Sequence, residues 1–121
     1  MITLGVALAA GVGSVCRYLL DDAVTRRTRG SFPFGTFAVN VTGSFLLGLA
    51  VGLGLHHHLA GGAVAVLGAG FAGGYTTLST WAWESLEFGR EGRMRLAAAN
   101  VLGSLALGLL AGAAGLGVAL V

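Results

Sequence analysis

Apolar residues fill four long stretches of the chain, and short polar connections separate them. The stretches lie near residues 2–20, 35–55, 62–83 and 96–121. A helix needs roughly 20 mainly apolar residues to cross the hydrocarbon core of a bilayer. The pattern therefore predicts an all-α integral membrane protein in which one domain, residues 1–121, contains four transmembrane helices.

Polar residues interrupt the third stretch. Its segment 70–83, GFAGGYTTLSTWAW, contains two adjacent glycines and four serine or threonine hydroxyls. Non-helical backbone survives at membrane depth only where it is buried in protein or lines a wet cavity. A glycine kink whose hydroxyls bond back to the helix is the simpler alternative. The density of polar residues favours a broken helix beside an ion or solute path.

A polar stripe marks the second stretch. Thr36, Asn40 and Ser44 recur at a spacing of four residues, which aligns their side chains on one helix face. One such residue would be explained by an interhelical hydrogen bond worth roughly 0.6 kcal/mol. Three in register favour a lined path, in which the Asn40 amide needs both donors and acceptors from its surroundings.

Other polar residues in or near the stretches have weaker interpretations. Arg17 lies near the end of the first stretch, where it can form an electropositive vestibule or extend to the lipid headgroups. Asn100 and Ser104 are spaced as helix-joining residues rather than pore lining. The run 56–58 of three histidines has no acidic or cysteine neighbour and is interpreted as a solvated turn.

Composition agrees with the membrane assignment. Only 10% of the residues are charged, against about 25% in soluble proteins, and the mean hydropathy is +0.85. No basic region precedes the first stretch, so we interpret it as a mature helix rather than a signal peptide. All seven basic residues are arginines, six of them in two connections, and they form no basic face for nucleic acid. No hydrolase, metalloprotease or phosphate-loop motif predicts an enzyme.

Glycines within the stretches indicate close helix packing. Pairs such as Gly48 with Gly52 and Gly108 with Gly112 have the spacing that lets helix backbones approach each other. Any single pair fits packing within the chain as well as a dimer contact. Four short helices leave little room for a path inside one chain, so we expect self-association.

Three segments carry a family resemblance. Residues 11–18 (GVGSVCRY), 35–48 (GTFAVNVTGSFLLG) and 70–80 (GFAGGYTTLST) resemble the motifs of the small bacterial fluoride channels known as Fluc or CrcB. The resemblance implies a four-helix subunit of the bacterial cell membrane that forms an antiparallel dimer within the lipid. It also implies two narrow pores that export fluoride passively from the cytoplasm.

The same resemblance assigns site residues. It implies a structural, non-transported sodium ion held by the backbone carbonyls of Gly73 and Thr76, and it places Arg17 in the vestibule. The residues that it and the polar stripe place along the pore are Asn40, Ser44, Leu78, Ser79, Thr80 and Trp81. Fluoride is small and strongly hydrated, so amide and hydroxyl donors must replace its water, and aromatic ring edges can add to them.

Two positions depart from the family pattern, which usually has phenylalanine at both. Leu78 has no ring, whereas Trp81 keeps an aromatic edge and adds an indole donor. These departures leave open a non-conducting packing subunit of a heterodimeric channel.

The arginines are distributed unevenly between the connections. The first and third connections carry three arginines each, and the second connection and the chain ends carry none. The positive-inside rule then predicts that these two connections are cytoplasmic. A chain with one fixed orientation would pair with an oppositely oriented homologue, although a homodimer also stays open.

A small multidrug-type proton antiporter is the rival of another class, because it also has four short helices in antiparallel pairs. Such a transporter needs a carboxylate at the centre of the membrane. The five acidic residues all lie at or beyond the ends of the stretches: Asp21, Asp22, Glu84, Glu87 and Glu91. Their positions argue against the antiporter.

Overall fold

Helices make up nearly the whole chain, of which a computed structural model describes all residues, 1–121. In chain order they are α1 (Ile2–Arg27), α2 (Phe34–His56), α3 (Gly61–Ala65), a π-helical segment (Val66–Ala72), α4 (Gly73–Tyr75), α5 (Leu78–Arg90) and α6 (Met94–Val118). There is no β-strand, and the all-helical prediction is confirmed. By length and composition, α1, α2 and α6 are each able to cross a membrane.

The third span consists of two halves. Its first half, residues 61–75, runs from α3 through the π-helical segment to α4, and its second half is α5. Thr76 and Thr77 between them have extended backbone, with ψ angles of 161° and 117°. The predicted break in the third helix is confirmed, but Gly73 and Gly74 stay helical and the break follows them. Thr77 begins the second half as its N-cap, since its side chain accepts a hydrogen bond from the Thr80 N–H.

Two helices extend further than the apolar stretches indicate. α1 continues to Arg27, and α5 continues to Arg90, so the third connection comprises only residues 91–93. Arg26 pairs with Asp22 four residues earlier, at 2.9 Å, which supports a helical turn outside the hydrocarbon. Gly92 has a φ of 73°, a left-handed conformation that glycine adopts without strain.

Close contacts between backbones hold the bundle together. Gly48 lies against the backbone of Gly112, and Gly115 lies against the Phe45 carbonyl, so α2 and α6 touch where side chains would separate them. Only 16 of the 121 residues are buried. Many large apolar side chains, such as Leu4, Leu8 and Leu109, are exposed and face outward, towards lipid or a partner.

The two ends of the bundle differ in charge. Thr36 at the start of α2 donates a hydrogen bond to Glu84 at 2.8 Å, which brings the first and third connections to the same end. At the other end, Nε2 of His57 lies 2.9 Å from the carbonyl of Ala119. The arginine-bearing end contains Arg26, Arg27, Arg29, Arg90, Arg93 and Arg95.

Candidate functional site

The Asn40 amide pairs with the backbone at the break. Its Oδ1 accepts a hydrogen bond from the Thr77 N–H at 2.8 Å, and its Nδ2 donates to the Thr77 carbonyl at 2.9 Å. The side chain thus replaces the helical neighbours that Thr77 lacks. An unpaired backbone group in lipid costs several kcal/mol. Asn40 is therefore part of what makes the break stable.

Helix α1 supplies partners for two more freed carbonyls. The Ser14 hydroxyl lies within hydrogen-bond distance of the Gly74 carbonyl, at 3.2 Å, as well as of the Ala10 carbonyl. The Arg17 guanidinium donates to the Thr76 carbonyl at 3.1 Å. The arginine is half-buried and its guanidinium is turned towards the break.

Arg17 also borders a small polar cavity of about 170 Å³ between α1, α2 and the start of α5. Tyr18, Thr77 and Thr80 contribute hydroxyls to its wall, and Asp21 contributes a carboxylate. The vestibule role that the sequence predicts for Arg17 stays a prediction, and this cavity is the polar space that the arginine borders. The guanidinium charge favours anions in the cavity, while Asp21 opposes them.

An open groove of about 540 Å³ lies on the other side of the break, between α2, the third span and α6. Its lining residues are Asn40, Gly43, Ser44, Leu47, Gly68, Ala69, Ala72, Gly73, Thr76, Thr77, Leu78, Trp81, Ser104 and Leu105. The structure thus brings together four of the six predicted pore residues. Ser79 and Thr80 lie outside the groove on the first turn of α5, and Thr80 faces the Arg17 cavity instead.

The polar side chains at the groove and the break use part of their hydrogen-bonding capacity within the protein. Ser44 donates to the Asn40 carbonyl of its own helix at 2.8 Å. Asn40 uses one of its two amide hydrogens on Thr77, which leaves the other available. The Thr80 hydroxyl accepts from the Thr77 hydroxyl at 3.0 Å and keeps its own hydrogen for another acceptor.

The two departures from the family pattern differ in their surroundings. Leu78 is 75% exposed, on the rim of the groove. Trp81 donates its indole N–H to the Asn100 carbonyl on α6 at 3.1 Å, so that donor does not point into the groove. Asn100 is fully buried and joins α5 to α6, which agrees with its interpretation as a helix-joining residue.

Two carbonyls of the break have acceptor capacity on the groove side. In a continuous helix the Thr77 N–H would bond to Gly73, but here it bonds to Asn40, and Gly73 is exposed on the groove. The Thr76 carbonyl uses one of its two lone pairs on Arg17. Unwound carbonyls of this kind suit a small cation, although the guanidinium charge next to Thr76 repels one.

The sequence pattern draws attention to Asn40, Arg17 and the break, which the structure brings together, but it does not indicate the contacts of Ser14 or of the Asn100 carbonyl. Ser14 bonds to a residue 60 positions away in the chain. No local spacing marks such a pair. The hydroxyl within the glycine-rich segment 11–18 was the only available signal.

A broken membrane helix whose freed backbone groups bond to polar side chains of neighbouring helices is typical of membrane channels and transporters. Residues 4–116 match the model of the family described as "CrcB-like protein, Camphor Resistance (CrcB)", and the chain belongs to this family.

Relatives of the chain carry a more specific name. It is 46% identical over 117 residues to "Fluoride-specific ion channel FluC 1" of Leifsonia xyli, covering 97% of this chain and 84% of that one. It is 46% identical over 110 residues to "Fluoride-specific ion channel FluC 2" of Mycobacterium tuberculosis, covering 91% and 84%. It is 48% identical over 117 residues to "Fluoride-specific ion channel FluC 1" of Symbiobacterium thermophilum, covering 95% and 93%.

Proposed function

We propose that this chain is a subunit of a fluoride-selective channel, and not an enzyme, through which fluoride leaves the bacterial cytoplasm passively. The relatives named as fluoride-specific ion channels support the proposal. The observation that carries it is the pairing of Asn40 with the Thr77 backbone at the break in the third span, beside a largely apolar groove that Asn40 and Ser44 also line.

The chemistry of this region suits a small, strongly hydrated anion. The remaining Asn40 amide hydrogen supplies a donor on the groove side of the break. The Ser79 and Thr80 hydroxyls, which lie outside the groove on the first turn of α5, supply further donors that replace water around fluoride. Arg17 raises the local concentration of anions near the cavity that it borders. Carbon-bound ring edges, such as those of Trp81, add weak positive charge along the groove.

The groove needs a cover within the membrane, and a second subunit in antiparallel orientation provides one. The groove is polar at Asn40 and Ser44 but open on one side, where lipid could not satisfy its polar atoms. Leu78 is exposed on its rim and available for contact with a partner. A two-fold axis between the subunits would generate two pores.

The partner is either a second copy or an oppositely oriented homologue. All six connection arginines lie at one end of the bundle, and this bias favours one fixed orientation. Maleimide labelling of intact cells tests it with single cysteines introduced by Ser31→Cys and His56→Cys in a Cys16→Ser background. One fixed orientation predicts that an impermeant reagent labels only the cysteine at position 56, whereas a homodimer of both orientations predicts labelling of both.

We also propose that a structural sodium ion binds at the break, held by the carbonyls of Gly73 and Thr76. The two carbonyl oxygens would hold the ion, which would supply positive charge at the break. The exposed Gly73 backbone and the second lone pair of Thr76 support this assignment. Replacing sodium with N-methylglucamine should lower the thermal stability of the purified dimer, and an unchanged melting temperature would contradict it.

Fluoride efflux from liposomes that contain this chain alone tests the main proposal, with a fluoride electrode as detector and chloride as the control ion. Rapid, fluoride-selective efflux would establish a working homodimer that tolerates Leu78 and Trp81. No efflux alone but efflux with a paired homologue would support the heterodimer. No fluoride movement in either case would support a packing subunit, which Leu78 at the groove rim favours as the second candidate.

A further inference from the structure

Only part of the Trp81 ring faces the groove. The side chain lines the groove, but its indole N–H bonds to the Asn100 carbonyl on α6 at 3.1 Å. The N–H edge is therefore turned towards α6. The carbon atoms of the indole are the part that faces the groove, as those of a phenyl ring would.

Asn100 contacts the Trp81 region with its side chain as well as its backbone. Its Nδ2 donates to the Ser85 hydroxyl at 2.9 Å and lies 3.5 Å from the Trp81 carbonyl, and Ser85 itself donates to that carbonyl at 2.8 Å. Three residues on two helices are thus linked by a closed set of hydrogen bonds. Trp81 lies at the centre of this set with both its side chain and its backbone.

Two unpartnered atoms indicate that this arrangement is maintained at a cost. Asn100 is fully buried, yet its Oδ1 has no hydrogen-bond partner. The buried Ser104 hydroxyl also has none. A serine in a helix commonly bonds to the carbonyl four residues earlier, which for Ser104 is the Asn100 carbonyl that accepts from Trp81. A buried polar group without a partner is unfavourable, and an apolar side chain at position 100 would avoid that penalty.

We infer that Asn100 is a positioning residue that fixes the Trp81 ring, so that an ion in the groove meets the carbon-bound edge and not the N–H. The contact between the ion and the ring edge rests on the proposed fluoride conduction, whereas the orientation of the ring does not. The indole N–H would otherwise be a strong donor to any anion, whereas a ring edge offers only a weak, short-range positive charge.

Tryptophan fluorescence tests the ring orientation without any transport measurement. The chain has two tryptophans, and Trp83 is 60% exposed and outside the groove, so Trp83→Phe leaves Trp81 as the only reporter. In this background, Asn100→Leu removes the amide that bonds to Ser85 at similar volume. It keeps the backbone carbonyl that accepts from the indole N–H, so it tests whether the side chain holds that carbonyl and the ring in place. We expect a shifted emission maximum and a faster anisotropy decay from a mobile ring. Unchanged emission and anisotropy would overturn the inference.

Fluoride efflux then separates positioning from general stability through a double-mutant cycle. Measured with whichever partner gives efflux, Asn100→Leu should lower the fluoride-to-chloride selectivity about tenfold, the scale of one lost hydrogen bond to a positioned group. In a Trp81→Phe background the same substitution should change selectivity little, because there is no N–H to turn. An equal loss in both backgrounds would overturn the positioning role.

A milder variant tests the same contact if Asn100→Leu does not fold. Ser85→Ala keeps Asn100 and removes only the hydroxyl that accepts from its side chain. We expect a smaller change of the Trp81 anisotropy in the same direction, with the dimer intact by size-exclusion chromatography. If Asn100→Leu changed the Trp81 anisotropy and Ser85→Ala left it unchanged, a role for the Asn100 amide would be contradicted.

Discussion

Two regions of the molecule bring helices close together by different interactions. Backbone packing at glycines joins α2 to α6, whereas side-chain hydrogen bonds to the backbone join α1 and α2 to the break in the third span. Between α2 and α6, the absence of side chains at Gly48, Gly112 and Gly115 lets backbones touch. At the break, long or polar side chains such as Asn40 and Arg17 extend to backbone atoms of the third span. The first contact is a scaffold, and the second presents free polar groups to the groove.

The difference shows why one half of the molecule tolerates irregular backbone and the other does not. Small residues contribute van der Waals contact and no hydrogen-bond partners, so α2 and α6 must remain regular helices. The extended residues Thr76 and Thr77 are possible only because other helices supply their partners. Substitutions in the two regions should therefore have different effects: those in the scaffold lower stability, and those at the break lower conduction as well.

The largest effect is expected from Asn40→Leu. The change leaves the Thr77 N–H and carbonyl without partners, each at a cost of about 1–3 kcal/mol. Fluoride efflux should fall by about a hundredfold, which corresponds to roughly 2.7 kcal/mol. Thr42→Ser is the control on α2, because Thr42 lies outside the groove and the change keeps the hydroxyl that bonds to Tyr75. Equal efflux from the two variants would show that the Asn40 bonds are dispensable.

Gly115→Ala should destabilise the scaffold while leaving selectivity unchanged. A Cβ at position 115 would collide with the Phe45 carbonyl and the Leu49 nitrogen, and such overpacking costs about 1–3 kcal/mol. Gly117→Ala on the same helix is the control, since no atom lies within 4 Å of its added Cβ. Thermal unfolding of both variants in detergent measures the difference. Equal melting temperatures would show that α2 and α6 do not need this contact.

Arg17→Lys distinguishes two roles of the arginine. The change keeps the positive charge but alters the guanidinium geometry that bonds to the Thr76 carbonyl. If holding the break matters most, efflux should fall about tenfold. If only attraction of anions matters, efflux and its dependence on ionic strength should persist. Arg27→Lys, on the exposed end of α1, is the matched control, because it makes the same change away from the break.

The smallest effect is expected from Ser44→Ala. Ser44 lines the groove, but its hydroxyl hydrogen is used on the Asn40 carbonyl of its own helix. Because little donor capacity is lost, efflux should change by no more than about threefold, within the net worth of one neutral hydrogen bond. A hundredfold loss would mean that the hydroxyl turns to the ion during conduction.

The sequence predicted the parts of the fold that depend on local pattern. Four apolar stretches, the stripe of Thr36, Asn40 and Ser44, and the polar segment 70–83 each follow from composition or helical spacing. The partners of these residues could not be predicted in this way. Asn40 bonds to Thr77, 37 residues away, and Trp81 bonds to Asn100 across the third connection.

The exact position of the break also could not be predicted from the local sequence. The glycine pair at 73 and 74 indicated weakness there, yet both residues remain helical. Gly74 packs against the Ala10 backbone, a contact that keeps the helix regular at that point. The chain opens two residues later, where Arg17 and Asn40 can bond to the freed groups. Tertiary contacts therefore decided a detail that local propensity left open.

The divided third span has a consequence for biogenesis. Neither residues 61–75 nor α5 has the roughly 20 residues that a helix needs to cross the bilayer by itself. The backbone partners of Thr76 and Thr77 come from α1 and α2, which the ribosome makes first, and the Trp81 partner comes from α6, which it makes last. We expect stable insertion of the third span to depend on its contacts with α1 and α2. It should reach its final conformation only after translation ends, when α6 is in place.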